Sequence, residues 1–426
     1  METLFIKGGH TLSGCVDIAT SKNAILPILA CSVMLNGNIT IKKCTMYSDV
    51  NYMLSILQDL GCKIEKNDED VYINTDNLTG SLVKEEYTKM VRSSIFMLGP
   101  LLSRLKTAVV AYPGGCNIGN RPIDLHLKGL RCLNVKIEEK HGYIFCDGKN
   151  MKPSTIHLDI ASVGATENIM MASVLLKGKT VIYNAAREPE IIDLQNFINS
   201  AGGKVSGAGT STITIEGVKQ LKGIEYEPIK DRIIAGTYLL ACAIAGGNIE
   251  VRGSKAEYNV ALINKLKSAG CKINIDKKNI QISCKGRLKS ISKIETQTYP
   301  GFPTDLQNQI LTLQTISKGT SVINETLFET RLKICTELKK MGADITVNNQ
   351  IAVVKGVPKL YGANVTATDL RGGAGLVLAG LCADGYTTVH DIFHIDRGYR
   401  NIENDLCRLN AEITRRNWIF TNNLIE

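Results

Sequence analysis

A glycine-rich stretch around a single thiol, Pro113-Gly114-Gly115-Cys116-Asn117-Ile118-Gly119-Asn120-Arg121-Pro122, has residue types and spacing that suit chemistry. Three glycines near one cysteine let the backbone fold over a ligand, and Arg121 close by would lower the thiol pKa or bind an anion. A surface turn with an incidental cysteine is the plainer reading, because glycine-rich loops are common. Ser21-Lys22-Asn23-Ala24 leads into an apolar run. There a lysine and an amide meet the free N–H groups of a helix N-terminus, a combination that suits an anion. A lysine stem lying along apolar surface beside a capping residue would look the same in sequence.

Three further segments set carboxylates beside prolines or cations. Pro300-Gly301-Phe302-Pro303-Thr304-Asp305 puts Asp305 where an apolar helix begins, which reads first as an N-cap. Asp369-Leu370-Arg371-Gly372-Gly373 and His394-Ile395-Asp396-Arg397-Gly398-Tyr399 each place an arginine next to a carboxylate, and a local salt bridge is the default reading of both. Lys22, Arg92, Asp305 and Asp369 share one phase, the start of an apolar helix. Such helix ends, brought from two domains to one cleft, would form a site rich in Arg and Lys. That suits a ligand carrying phosphate and carboxylate groups.

The elements that must position these residues recur six times. Leu60-Gly61-Cys62-Lys63-Ile64, Leu133-Asn134-Val135-Lys136-Ile137, Ala201-Gly202-Gly203-Lys204-Val205, Ala269-Gly270-Cys271-Lys272-Ile273, Met341-Gly342-Ala343-Asp344-Ile345 and Leu409-Asn410-Ala411-Glu412-Ile413 are one phrase, spaced 73, 68, 68, 72 and 68 residues apart. Gly or Asn at its centre fits a left-handed helix cap, and a β-branched residue soon after starts a strand. Ahead of each cap lies a short strand, usually announced by glycine, as in Gly37-Asn38-Ile39-Thr40-Ile41 and Gly247-Asn248-Ile249-Glu250-Val251. The second copy, Lys106-Thr107-Ala108-Val109-Val110, has no glycine. Apolar helical stretches precede the strands, for example 24–35, 94–105 and 165–176. Amphipathic ones, such as 51–57, lie between strand and cap. A period this long implies one unit used six times, and helices apolar nearly all round must sit inside something. The expected architecture is α/β with sheets wrapped around buried helices.

A chain of 426 residues suits two domains, three repeats in each. The expected division is 22–229, with the Cys116 loop, against 1–21 plus 230–426, with Asp305 and Arg397. Glu225-Tyr226-Glu227-Pro228 reads as the crossing segment. No apolar run reaches the length of a membrane span and the N-terminus lacks a signal-peptide core, so a cytoplasmic protein without membrane insertion is expected. Thirteen cysteines without a Cys-x-x-Cys pair read as reduced core thiols, and the six histidines form no metal set. No metal or other cofactor is called for. The formal charge of +9 is spread out, and Lys42-Lys43, Lys277-Lys278, Lys339-Lys340 and Arg415-Arg416 read as solvated surface. Sparse aromatics leave no stacking platform for nucleic acid. Small anionic substrates fit this balance better.

Pro-Gly-Gly-Cys-x-Ile-Gly-x-Arg-Pro, Ser-Val-Gly-Ala-Thr at 162–166, Arg-Glu-Pro-Glu-Ile at 187–191, Phe-Pro-Thr-Asp and His-Ile-Asp-Arg-Gly-Tyr resemble, end to end, the enolpyruvyl transferase superfamily, in particular its members that use UDP-N-acetylglucosamine. The resemblance implies an inside-out α/β fold of two domains, each with three βαβαββ units, and an N-terminal strand belonging to the C-terminal domain. It also implies transfer of the enolpyruvyl group of phosphoenolpyruvate to the sugar 3′-hydroxyl with release of phosphate, a step of peptidoglycan synthesis. Cys116 resembles the family's general acid, open to a phospholactoyl adduct and to alkylation by epoxides such as fosfomycin, and Asp305 its base. Lys22, Arg121 and Arg397 match the cations around phosphate and carboxylate, while Asn23 and Asp369 match residues facing the tetrahedral intermediate. Arg331 and Arg371 match further basic residues. Arg92, Pro122, Ile123, Asp124, Leu125, Ser162, Val163, Gly164 and Leu327 match positions that hold uridine and diphosphate.

Departures from the family pattern are Asn51-Tyr52 after Asp49-Val50, Ile160 where some relatives carry lysine, and the glycine pair Gly372-Gly373. None removes a group the reaction needs. Two alternatives remain. One is a shikimate 3-phosphate acceptor, whose family lacks cysteine in this loop. The other is a paralogue that binds the sugar nucleotide without turnover, against which the intact Cys116, Asp305, Lys22 and Arg397 argue.

Overall fold

The computed structural model describes residues 2–114, 119 and 122–417. The six apolar stretches form helices α1 (Lys22–Ser32), α2 (Leu98–Leu105), α3 (Val163–Ser173), α4 (Arg232–Ala245), α5 (Gln307–Ile316) and α6 (Leu370–Cys382). They are buried on nearly every side, and in α4 each residue from Arg232 to Ile244 is removed from solvent. α1 and α3 start two residues earlier than their apolar pattern does, at Lys22 and Val163, directly after the N-cap positions Ser21 and Ser162. α2 is preceded by a 3₁₀ turn, Arg92–Met97.

A strand and an amphipathic outer helix follow each buried helix, and the outer helices end where the repeated phrase places them. Gly61, Asn134, Gly202, Gly270, Gly342 and Asn410 all have positive φ, between 65° and 113°. At the strand starts, Gly37, Gly178, Gly247, Gly319 and Gly385 are left-handed too, and Lys106 adopts the same conformation at φ 61° without being glycine.

Six four-stranded sheets share one layout, a short strand parallel to the next and two antiparallel strands beyond it. The chain divides into two compact units, one mainly from residues 20–230 with α1–α3, the other mainly from 1–19 and 231–426 with α4–α6. Glu2–Lys7 lies antiparallel between Tyr386–His390 and Glu412–Asn417, and Leu12–Asp17 runs parallel to Gly247–Arg252. The N-terminal segment therefore completes two sheets of the unit formed by the chain's second half. Glu225–Tyr226 pairs with Thr40–Ile41 and completes the first sheet of the other unit.

Helix contacts inside the units are close because small residues sit at them. A Cβ on Gly99 of α2 would meet the Asn168 carbonyl oxygen of α3 at 2.4 Å, and the Gly99 N–H donates to Asn168 Oδ1 at 2.8 Å. Thr312 of α5 donates to the Gly375 carbonyl of α6 at 3.2 Å. The twelve described cysteines are free thiols, eight of them buried. Among the described residues no helix is long and apolar enough to cross a membrane.

Two predictions follow from this packing. Gly99→Ala drives a methyl into backbone, so it lowers unfolding free energy by about 1–3 kcal/mol. An unchanged urea midpoint would show that α2 and α3 are not in close contact. The second concerns Asp193, on the outer helix Pro189–Ser200, which accepts from Tyr226 Oη at 2.6 Å and from Ile229 N–H at 3.1 Å. Burial, opposed by these two bonds, pushes its carboxyl up to about 6. The folded state therefore holds a proton that the unfolded chain has lost, and stability falls as pH rises from about 4 to 6, by at most about 3 kcal/mol. Asp193→Asn flattens that slope in denaturation measured from pH 4 to pH 7.

Candidate active site

In the second unit the starts of the buried helices carry an ionic network. Asp305 does not act as an N-cap. It sits in a 3₁₀ turn, Thr304–Leu306, ahead of α5, and its carboxylate turns to two arginines. Arg331 Nη2 lies 2.7 Å from Oδ1 and Arg371 Nη2 lies 3.2 Å from Oδ2. Both arginines are almost fully buried, at 2% and 4% exposure, whereas Asp305 keeps 28% of its side chain in contact with solvent. Nε and Nη1 of Arg331 are buried without a hydrogen-bond partner, and its guanidinium lies 5.4 Å from the Phe328 ring centre. Burial opposes the Arg371 charge, but Asp305, Tyr399 and Asp231 outweigh it and hold the group above its usual pKa.

The side chains of Asp369, Arg371 and Asp396 have partners beyond their sequence neighbours. Asp369 caps α6, its Oδ1 accepting from the N–H groups of Arg371 at 2.9 Å and Gly372 at 3.0 Å. The Arg371 side chain goes to Asp305 instead. Asp396 binds Arg415, with Nη2 at 2.7 Å and Nη1 at 3.0 Å, and Arg415 also reaches Glu403 and Glu2. Arg415 is thus an ion-pair hub rather than the solvated surface its Arg-Arg context suggests. Arg397 follows the short helix Phe393–Asp396, and burial together with Arg397 holds the nearby His394 imidazole below its ordinary pKa.

Buried Glu325 was invisible in the sequence. Its Oε1 accepts from Thr296 Oγ1 and from the N–H groups of Leu327 and Phe328, and its Oε2 from Thr304 Oγ1. One carboxylate thereby fixes half-buried Leu327 and the turn that holds Asp305. Beside that turn is a cavity of about 430 Å³ lined by Arg232, Glu257, Asn259, Tyr299, Gly301 and Pro303, among others.

In the first unit Lys22 opens α1 and is buried, with Nζ 2.6 Å from Asp49 Oδ2. Asn23 beside it is half-exposed. Arg92 begins the 3₁₀ turn ahead of α2. Ser162 caps α3 by accepting from Ala165 N–H at 3.3 Å, and Val163 and Gly164 form the first turn, partly open to solvent. Gly164 lies against the His126 ring. Asn168 Nδ2 donates to Ile95 O at 2.9 Å and lies 2.8 Å from His126 Nδ1, which therefore accepts. This tie holds the helix Asp124–Cys132, so Pro122, Ile123, Asp124 and Leu125 lie at its N-terminal end. Glu167 of α3 is 1% exposed with neither oxygen partnered, and burial, then Glu190 and Glu188, push its carboxyl well up. Cys116 and Arg121 lie outside the described residues. Among the described residues no group of three or more His, Cys, Asp or Glu side chains could hold a metal ion.

The family whose pattern matches residues 6–406 is described as EPSP synthase (3-phosphoshikimate 1-carboxyvinyltransferase). The chain is 49% identical over 410 residues to UDP-N-acetylglucosamine 1-carboxyvinyltransferase 2 of Caldanaerobacter subterraneus subsp. tengcongensis, covering 96% of this chain and 98% of that one. It is 46% identical over 417 residues to UDP-N-acetylglucosamine 1-carboxyvinyltransferase 1 of Clostridium acetobutylicum, covering 97% and 100%. Its fold is similar to the enolpyruvyl transferase NikO from Streptomyces tendae, with TM-score 0.87 at 22% identity over 97% of this chain and 99% of that one. EPSP synthase from Acinetobacter baumannii has TM-score 0.72 at 18% identity, covering 98% and 100%.

The Lys22–Asp49 pair can be tested directly. Removing one partner of a buried pair typically costs about 3–5 kcal/mol, so Asp49→Ala should lower stability on that scale, and adding Lys22→Met should restore part of it. Additive losses in a denaturation cycle would show that the two side chains do not interact.

Proposed function

The chain belongs to the EPSP synthase (3-phosphoshikimate 1-carboxyvinyltransferase) family, and from that membership we propose that it is a UDP-N-acetylglucosamine 1-carboxyvinyltransferase (EC 2.5.1.7). It transfers the enolpyruvyl group of phosphoenolpyruvate to the 3′-hydroxyl of UDP-N-acetylglucosamine, releases phosphate, and serves peptidoglycan synthesis in the cytoplasm. The single observation that carries the acceptor is near-full-length identity to enzymes named for that reaction.

The roles follow from charge and proton bookkeeping. The Cys116 thiol gives its proton to the methylene carbon of phosphoenolpyruvate, making C2 electrophilic. The acceptor 3′-oxygen bonds to C2 as Asp305 takes its proton. A carboxylate offers about four lone-pair sites, so Asp305 can hold both arginines and still accept from a hydroxyl. The thiolate left at Cys116 then takes back a proton from the new methyl group as phosphate leaves the tetrahedral intermediate, which restores the thiol. Lys22, Arg121 and Arg397 balance phosphate and carboxylate charge, and Arg331 and Arg371 add fixed positive charge at the base. Asn23 and Asp369 face the intermediate. Arg92, Pro122, Ile123, Asp124, Leu125, Ser162, Val163, Gly164 and Leu327 hold the nucleotide. Residues 22–229 and 1–21 plus 230–426 are the proposed domains, and small molecules, not nucleic acid, are the proposed partners.

A phosphate-release assay with phosphoenolpyruvate and each acceptor tests the reading. Release with UDP-N-acetylglucosamine is expected. Release only with shikimate 3-phosphate, or with neither, would overturn it. Cys116→Ala should nearly abolish turnover while leaving nucleotide binding intact. Cys116→Asp, which still carries an acidic proton, should keep turnover and lose epoxide alkylation detected by mass spectrometry.

A further inference from the structure

The Tyr399 hydroxyl lies at the meeting point of three buried groups. Arg371 Nη1 is 3.3 Å away, Gln309 Nε2 3.3 Å and Thr237 Oγ1 2.8 Å. Hydrogen positions follow from the partners. Thr237 donates its only hydroxyl hydrogen to the Ile233 carbonyl at 2.9 Å, one helical turn back in α4, so toward Tyr399 it can only accept. Gln309 Nε2 also donates to Thr237 Oγ1, at 3.2 Å. The Tyr399 hydrogen therefore points at Thr237, and its lone pairs are left for Gln309 and Arg371. The phenol is locked as an acceptor on the side where the guanidinium lies.

We propose that Tyr399 is a positioning residue for enolpyruvyl transfer, its locked hydroxyl holding one end of Arg371 so that the other end fixes Asp305. This rests on the reading of Asp305 as the base. Three buried helices contribute to the lock, Thr237 from α4, Gln309 from α5 and Arg371 from α6. The backbone around Tyr399 is held as well, since its N–H donates to Ile395 O at 3.0 Å and Asp396 is gripped by Arg415. Arg397 lies between these two anchors, so one segment supplies a cation and orients the base. The Arg371 guanidinium also lies 5.6 Å from the Tyr399 ring centre. Phenylalanine keeps that ring and removes only the oxygen.

The test is a kinetic cycle on full-length enzyme with Tyr399→Phe, Arg371→Lys and the double variant. Tyr399→Phe should lower kcat about tenfold, the loss of roughly 1.4 kcal/mol of transition-state stabilisation, with KM for both substrates within about twofold. In the Arg371→Lys background it should cost almost nothing, because the group it positions is gone. A merely structural role would give equal losses in both backgrounds, and that result, or wild-type kcat for Tyr399→Phe, overturns the proposal. Thr237→Val frees the phenol hydrogen to turn toward Arg371, and should lower kcat in the same direction if Tyr399→Phe folds poorly. Should wild-type enzyme release no phosphate with either acceptor, the functional reading fails on its own. Nitrogen-15 NMR of Arg371 then decides the positioning role. Restricted guanidinium rotation in wild type that is freed in Tyr399→Phe supports it, and rotation alike in both sinks it.

Discussion

Two guanidinium groups removed almost entirely from water, with a partly exposed carboxylate between them, are the arrangement on which the rest of the second unit depends. Taking an arginine out of water costs several kcal/mol, and a single ion pair seldom repays that without further hydrogen bonds. Arg371 has them, from Asp305 and Tyr399. Arg331 spends Nη2 on Asp305 and keeps two buried nitrogens without acceptors. A buried donor left unsatisfied costs about 1–3 kcal/mol, so the folded protein carries a standing demand for negative charge or lone pairs at this point. In the proposed reaction an anionic substrate meets that demand.

The sixfold repeat makes such an arrangement possible to build. Each unit places three helices inside, and the N-terminal end of a helix carries free N–H groups and a dipole that favour anions. Polar residues at those ends can face a ligand while anchored in a rigid interior. Behind them the helices are buried and close-packed, to the point that a Cβ on Gly99 would run into the Asn168 carbonyl of the neighbouring helix. A base or cation mounted there inherits the stiffness of the core.

Legibility in the sequence tracked the distance between interacting residues. The caps at Gly61, Asn134, Gly202, Gly270, Gly342 and Asn410 could be read because a left-handed cap is a local matter of backbone conformation. The apolar runs of α1 and α3 were likewise readable, short of their first two residues. Pairings between distant residues were not. Asp369-Leu370-Arg371 and Asp396-Arg397 invite neighbouring salt bridges, yet Arg371 reaches back 66 residues to Asp305 and Asp396 forward 19 to Arg415. Glu325 sits in an unremarkable context and Tyr399 closes a motif whose charged residues draw the eye, and only the packing of strands and helices from different repeats gives the two side chains their partners. Lys106 shows the opposite limit, since its local signal was absent and the fold imposed the left-handed turn regardless.

Asp231, Asp305 and Asp369 stand at the same phase of three consecutive repeats, yet their carboxylates take different partners. Asp231 accepts from the N–H groups of Ile233 and Ile234, and Asp369 from those of Arg371 and Gly372, so one oxygen of each carboxylate caps the start of a helix. At Asp305 the chain arrives through two prolines and makes a 3₁₀ turn before α5 begins. The N-cap position passes to Leu306, which has no polar side chain to offer. Asp305 is thereby released from the capping duty of its counterparts and points its oxygens at side chains instead of backbone. A capping carboxylate is fixed by the N–H groups it satisfies and has little freedom to take a proton from a ligand. Moving the helix start beyond the aspartate converts a structural carboxylate into one whose partners, Arg331 and Arg371, leave it facing outward.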